Sequence, residues 1–159
     1  FTTPPLLAAL ADRLPAERRS RIRGVHLGGM RIDAALCRVA RERWFPNACV
    51  LPGYGNSLMG VMFECGAPGP DHEPRYVADD PALRVQVAPP DAGGRDGVDL
   101  ERRCGPGQRG RVVVHRLDRS FLLLNLVERD RATVSAGGAG VEDVEPWSAH
   151  GCLPVGEVY

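Results

Sequence analysis

The segment Gly24 to Ser57, GVHLGGMRIDAALCRVARERWFPNACVLPGYGNS, constrains the fold more than any other part of this chain. Ile22 to Leu27 predicts a short strand, and Gly28-Gly29 ends it. From Arg31 to Trp44, Ile32, Leu36, Val39 and Ala40 recur on one helical face while Arg38, Arg41, Glu42 and Arg43 fall on the other, which predicts an amphipathic helix. Ala48 to Leu51 predicts the next strand, delivering Tyr54 to its C-terminal end. Strand, helix and strand in this order form a βαβ unit and therefore a parallel pair. Ligands of such sheets gather beyond the C-terminal ends of the strands. The two turns expected there, Gly28-Gly29 and Gly53-Tyr54-Gly55, mark the place to look for a site.

Around this unit, Leu6 to Leu14 predicts a helix with Pro4 and Pro5 at its start, where a missing N–H costs little. The arginines at 18, 19, 21 and 23 read as a solvated helix end. After Cys65 the pattern changes. Arg75 to Ala78, Leu83 to Ala88 and Arg111 to Leu117 alternate like strands, and Leu122 to Val127 predicts a buried one. Pro/Gly clusters separate them, and VSAGGAGVEDVEP reads as a loop. The expected fold class is α/β, a parallel-sheet βαβ unit over residues 1–65 followed by a mostly antiparallel β-rich subdomain over 66–159.

Composition narrows the function. A formal net charge of zero gives no electrostatic reason to expect nucleic acid or a membrane surface as partner. All 20 basic residues are arginine, so this chain performs no lysine chemistry. No apolar run approaches the roughly 20 residues needed to span a bilayer. The five cysteines include no CxxC pair, which argues for a reducing, cytoplasmic setting. Cys65, His72, Cys104 and Cys152 match no standard zinc spacing.

Within the expected site, Gly28-Gly29-Met30 lets backbone approach a ligand closely and opens onto a helix start with unpaired N–H groups. It does not match the GxGxxG dinucleotide pattern. Tyr54 offers a flat face to a planar base and Ser57 a donor to a phosphate oxygen. Asp130, at the end of LLLNLVERD, stands where a strand is expected to meet a loop, and a carboxylate there can accept two ribose hydroxyls. Glu64 reads as a strand-end acid, His72 as a loop residue, and His26 as a satisfied core histidine. Neither Ser57 nor Cys65 has a base at a recognisable spacing, so no catalytic residue is assigned.

Taken together, these pieces resemble the adenylate-forming acyl- and aryl-CoA ligases, and within them the phenylacetate-CoA ligase-like branch. GVHLGGMRIDAAL resembles the branch's Gly-Gly-Glu segment. GYGNSLMGVMFEC resembles its Tyr-Gly-x-Ser-Glu turn and the Glu-Cys that follows. YVADDPALRVQVAPPD, GQRGRVVVHRLDR and FLLLNLVERD resemble the later strands, so the likeness runs from about Phe1 to Asp130. The resemblance implies an ATP-dependent ligase that activates a small aryl or acyl carboxylate as acyl-AMP, with Mg²⁺, for transfer to CoA or another acceptor. It implies nucleotide contacts at Gly28, Gly29, Met30, Tyr54, Gly55, Asn56, Ser57 and Asp130, with the acyl group near Gly53 and Met59 to Met62.

Three positions depart from that pattern. Leu58 stands where the family carries the Glu that helps hold Mg²⁺, leaving Glu64 as the nearest other acid. Asn125 and Val127 replace two arginines. The Ser/Thr/Gly-rich phosphate loop and the lysine-bearing small domain are missing, and the chain starts without Met, so the expectation is a piece of a larger ligase domain. The alternative is a degenerate, non-catalytic relative that binds a ligand or a partner.

Overall fold

The computed structural model describes residues 1–66, 73–91, 97–119 and 121–147. It resolves into two compact units, Phe1–Asp80 and Pro81–Tyr159. The sequence pattern had put the change of character after Cys65. Among the described residues no helix is long and apolar enough to cross a membrane.

In the first unit, α1 (Pro4–Arg13) begins with its two prolines and buries Leu7 and Ala11. A short α2 (Ala16–Arg19) leads into β1 (Gly24–Leu27). The next helix is shorter than the periodicity suggested. Asp33 caps it, its carboxylate accepting from the Leu36 N–H at 2.7 Å, so α3 spans only Ala34–Val39. From Ala40 to Trp44 the backbone widens into a π-helical turn, closed by the Phe45 N–H donating to the Ala40 carbonyl at 2.9 Å. Apolar spacing alone does not distinguish these two windings. Ile32, Cys37, Ala40 and Phe45 pack with Leu7, Val25, Leu27 and Val50 to form the core of this unit.

β2 (Cys49–Asn56) pairs parallel with β1, in register Gly24↔Cys49 through Leu27↔Pro52. It does not stop at Leu51. Gly53 to Asn56, expected as a turn, continue as strand and pair antiparallel with β3 (Gly60–Glu64). The reversal comes one step later, where the Asn56 side-chain oxygen accepts from the N–H groups of Leu58 and Met59 at 2.8 and 3.0 Å. Gly55 is needed by the hairpin itself, because a Cβ there would overlap the carbonyl oxygen of Gly60. A two-residue β4 (Tyr76–Val77) pairs with the far end of β3.

The second unit is an antiparallel meander of β5 (Leu83–Ala88), β6 (Arg109–Leu117), β7 (Leu122–Val134) and β8 (Val141–Pro146). Two expectations fail here. The segment read as a loop contains β8. The part of β7 expected to be buried is its open end: Leu122 is 70% and Leu124 58% exposed, whereas Ala132 and Val134 are buried. Asp143 and Glu145 on β8 form ion pairs with Arg109, and Glu145 also binds Arg131, so polar ties supply what apolar alternation does not.

Two substitutions test these local arguments by urea unfolding. Gly55→Ala should lose about 3 kcal/mol, because the clash is with backbone that cannot rotate away. Asp33→Ala should lose about 1 kcal/mol, the worth of one helix cap.

Candidate nucleotide site at the C-terminal edge of the parallel strands

The register that pairs Leu27 with Pro52 carries the chain onward so that Gly28 and Gly53 come together. A Cβ built on Gly28 would lie 3.6 Å from the Gly53 carbonyl oxygen and 2.9 Å from the Phe1 ring. Gly28 is held from the other side as well, its N–H donating to the Thr2 carbonyl at 3.1 Å. Gly29 follows with φ +81°, a conformation that L side chains rarely adopt, and is exposed; Met30 is half-buried. The two glycine segments singled out from sequence therefore do meet at one edge.

Tyr54 is half-buried, with its ring centroid 5.8 Å from that of buried Tyr76. Gly55 and Asn56 build the hairpin, and Asn56 spends its side-chain oxygen on closing the turn. Ser57 is exposed at the tip beside Leu58, itself 51% exposed. Asp130 lies in the second unit. It stands within β7, opposite Pro146, and not at a strand end, because β7 runs on to Val134. Asn125 has φ 55°, and its N–H donates to the His115 ring at 3.2 Å; Val127 pairs with Val113.

Glu64 is indeed the last residue of β3, but its carboxylate is engaged in an ion pair with Arg41. Arg41 also donates to the Val50 carbonyl at 3.0 Å, so the π-helical turn clamps the backs of β2 and β3 together. A metal ion at Glu64 would have to displace a guanidinium. Leu58 offers no donor, and no group of three or more His, Cys, Asp or Glu that could hold a metal ion occurs among the described residues. The donor set described does not suit Mg²⁺. Cys65 is exposed and Cys104 half-buried, while His72 and Cys152 lie outside the described residues.

His26 differs most from its sequence reading. It is half-buried between Phe1 and Phe63, with its Nε2 enclosed and lacking any hydrogen-bond partner. That nitrogen rests on Gly53, 2.5 Å from where a Cβ would stand, so the glycine makes room for this chain's own imidazole. Burial holds the ring's pKa below its usual value. Nothing in one sequence signals this pairing, since His26 and Gly53 sit on different strands. Nearby, burial pushes the Cys37 thiol up to about 11 and raises the Tyr76 hydroxyl too, so neither ionises as a nucleophile near neutrality.

No protein-family model and no curated protein sequence matches this chain. Solved structures do share its fold. An artificially fused adenylation–PCP di-domain, NpsA-ThdA, from Klebsiella oxytoca superposes with a TM-score of 0.59 over 96% of this chain and 30% of its own, at 14% identity. ATP-bound MatB from Rhodopseudomonas palustris gives 0.61 over 88% and 29%, at 15% identity. The Brucella canis acyl-CoA synthetase gives 0.59 over 88% and 27%, at 16% identity. The chain has the fold of the adenylate-forming ligases, and it spans less than a third of the length of each of these structures.

The Cys37 thiol gives a pH test with a defined sign. Its folded pKa, about 11, lies above the ordinary 9.0, so the unfolded chain loses its proton first. Stability should be fully present below pH 9.0 and fall as pH rises toward about 11. Cys37→Ala should flatten that decline in urea midpoints measured across the same window.

Proposed function

We propose that this chain is the part of an ATP-dependent, AMP-forming carboxylate ligase that holds the nucleotide and one side of the acid. The observation carrying the reading is the meeting of Gly28-Gly29 with Gly53 at the C-terminal edge of β1 and β2, on a fold shared with adenylate-forming enzymes. Gly28, Gly29 and Met30 would line the adenine, with the Tyr54 ring against it. Gly55 and Asn56 would shape the hairpin that presents Ser57 to the α-phosphate. ATP supplies the phosphoryl centre that the carboxylate attacks, giving acyl-AMP and pyrophosphate. The chain's own part is to bind and orient the reactants.

The acid is proposed to be a small aryl or acyl carboxylate, and the acceptor CoA or another nucleophile. The acyl group would lie along Gly53 with Val61 and Phe63. Met59 and Met62 are 0% and 1% exposed and face the interior, so they would back that surface without lining it. Assignment to the phenylacetate-CoA ligase-like branch and to the cytoplasm rests on the motifs and cysteine usage. Any Mg²⁺ entering with ATP would need ligands other than Leu58 and the engaged Glu64.

A second reading, a non-catalytic ligand- or partner-binding relative, is favoured by one observation. The position of the family's acid is an exposed leucine at the hairpin tip. ATP–pyrophosphate exchange by the full-length protein, with Mg²⁺ and a panel of aryl and acyl acids, separates the two. Exchange dependent on one acid class is the expected result, with Leu58→Glu raising its rate. A folded protein that binds ATP or an acyl-adenylate mimic, but gives no exchange even as Leu58→Glu, would establish the binding module instead.

A further inference from the structure

Arg41 differs from its neighbours on the helix. Arg38 and Glu42 are exposed, whereas Arg41 is half-buried. Residues three apart lie side by side on a regular α-helix, which would leave Arg41 on the polar face with Arg38. It stands instead in the π-helical turn, a winding frequent at functional sites, and its guanidinium reaches back over the strands. There its Nη2 donates both to the Val50 carbonyl, at 3.0 Å, and to the Glu64 carboxylate. The Arg41 and Glu64 side chains are only 22% and 10% exposed, so the pair is nearly withdrawn from water. An ion pair this enclosed contributes little stability beyond what apolar packing would, so stability alone does not account for it.

Glu64 leads from this pair to the ring proposed to meet the base. Tyr54 pairs with Met62 and Glu64 with Tyr76, so strand alternation puts all four on one face of β2, β3 and β4. β4 is two residues long and has little pairing of its own to hold Tyr76 in place. Tyr76 is nevertheless buried, and its ring meets that of Tyr54 with centroids 5.8 Å apart. Burial, then the charges of Cys37 and Glu64, push the Tyr76 hydroxyl up, so the carboxylate and the hydroxyl are near neighbours. In a close-packed interior such a series of contacts transmits a displacement from one end to the other.

We propose that Arg41 is a positioning residue of the nucleotide site, fixing the Tyr54 ring through Glu64 and Tyr76 so that it lies flat against the adenine. This rests on the ligase reading above and adds to it a residue remote from the nucleotide. The π-helical turn then has a role, because it brings onto the strands a cation that regular winding would leave in solvent. Both bonds matter: the Val50 carbonyl anchors the guanidinium to β2, and Glu64 ties it to β3.

The test uses the full-length protein, with ATP binding measured by calorimetry. Arg41→Met alone would strand a nearly buried carboxylate. The pair is therefore removed as Arg41→Met/Glu64→Leu, whose fold is checked by urea unfolding. This variant should bind ATP about tenfold more weakly, the usual worth of one base stacked on one aromatic ring. Tyr54→Ala should lose a similar factor, and so should Tyr76→Leu, which leaves the ion pair in place and breaks the relay at its other link. Adding Tyr54→Ala to the pair replacement should weaken ATP no further, because both remove the same contact. A merely structural pair would leave ATP affinity at the wild-type value, or lower it by a factor that multiplies with that of Tyr54→Ala. Either result, or unchanged affinity in Tyr76→Leu, would overturn the role of Arg41 and leave the ligase reading standing. Failure of the folded wild type to bind ATP would overturn that reading, and this inference with it.

Discussion

The first unit depends on the offset between the two pairings of β2. Its first half, Cys49 to Pro52, runs parallel to β1, and its second half, Gly53 to Asn56, runs antiparallel to β3. β1 ends at Leu27, so past Pro52 no β1 residue pairs with β2. A strand carrying a helical crossover on one side and a hairpin on the other has its open stretch where the first pairing stops and the second begins. That stretch must be nearly free of side-chain bulk if anything is to approach it, including the chain's own His26. Gly28 and Gly53 satisfy the requirement from the two strands, and Pro52 between them has no N–H to leave unpaired.

Much of this was legible in the sequence where apolar spacing and backbone winding agree. β1, the onset of β2, β5 and β6 follow from short apolar runs, and the parallel order of β1 and β2 follows from the helix between them. What was not legible has a common physical cause. Gly53-Tyr54-Gly55-Asn56 has the composition of a turn, yet it is strand because β3 supplies its hydrogen bonds and Gly60 leaves no room for a side chain at 55. β8 reads as an acidic loop because its stability comes from Arg109 and Arg131 on neighbouring strands. Leu122 and Leu124 have the spacing of a buried strand and are nevertheless exposed, since spacing records which residues share a face and not whether that face is covered.

The candidate site divides along the same line. Its glycines could be found because a double glycine after a strand is a local feature with a local meaning. The state of Glu64 and His26 could not, because each is decided by a residue on another element. Arg41 reaches Glu64 from the π-helical turn, and Gly53 admits the His26 ring from β2. A carboxylate at a strand end and a histidine in an apolar strand carry the same letters whether they bind a ligand, pair with a neighbour or stand unpartnered.

These assignments bear on what the edge can do chemically. From Gly28 to Met30 and from Gly53 to Leu58 it carries no formal charge, and Glu64 at the end of β3 is taken up in tying the π-helical turn to that strand. An edge of this kind can exclude water, hold flat groups and direct single hydrogen bonds, but it cannot itself neutralise the charge that develops on a transferring phosphoryl group. Such stabilisation comes from fixed cations or donors aimed at the reacting oxygens. For a ligase built on this chain, discrimination among acids and placement of the nucleotide would belong to these strands, and electrostatic acceleration to groups outside the described edge.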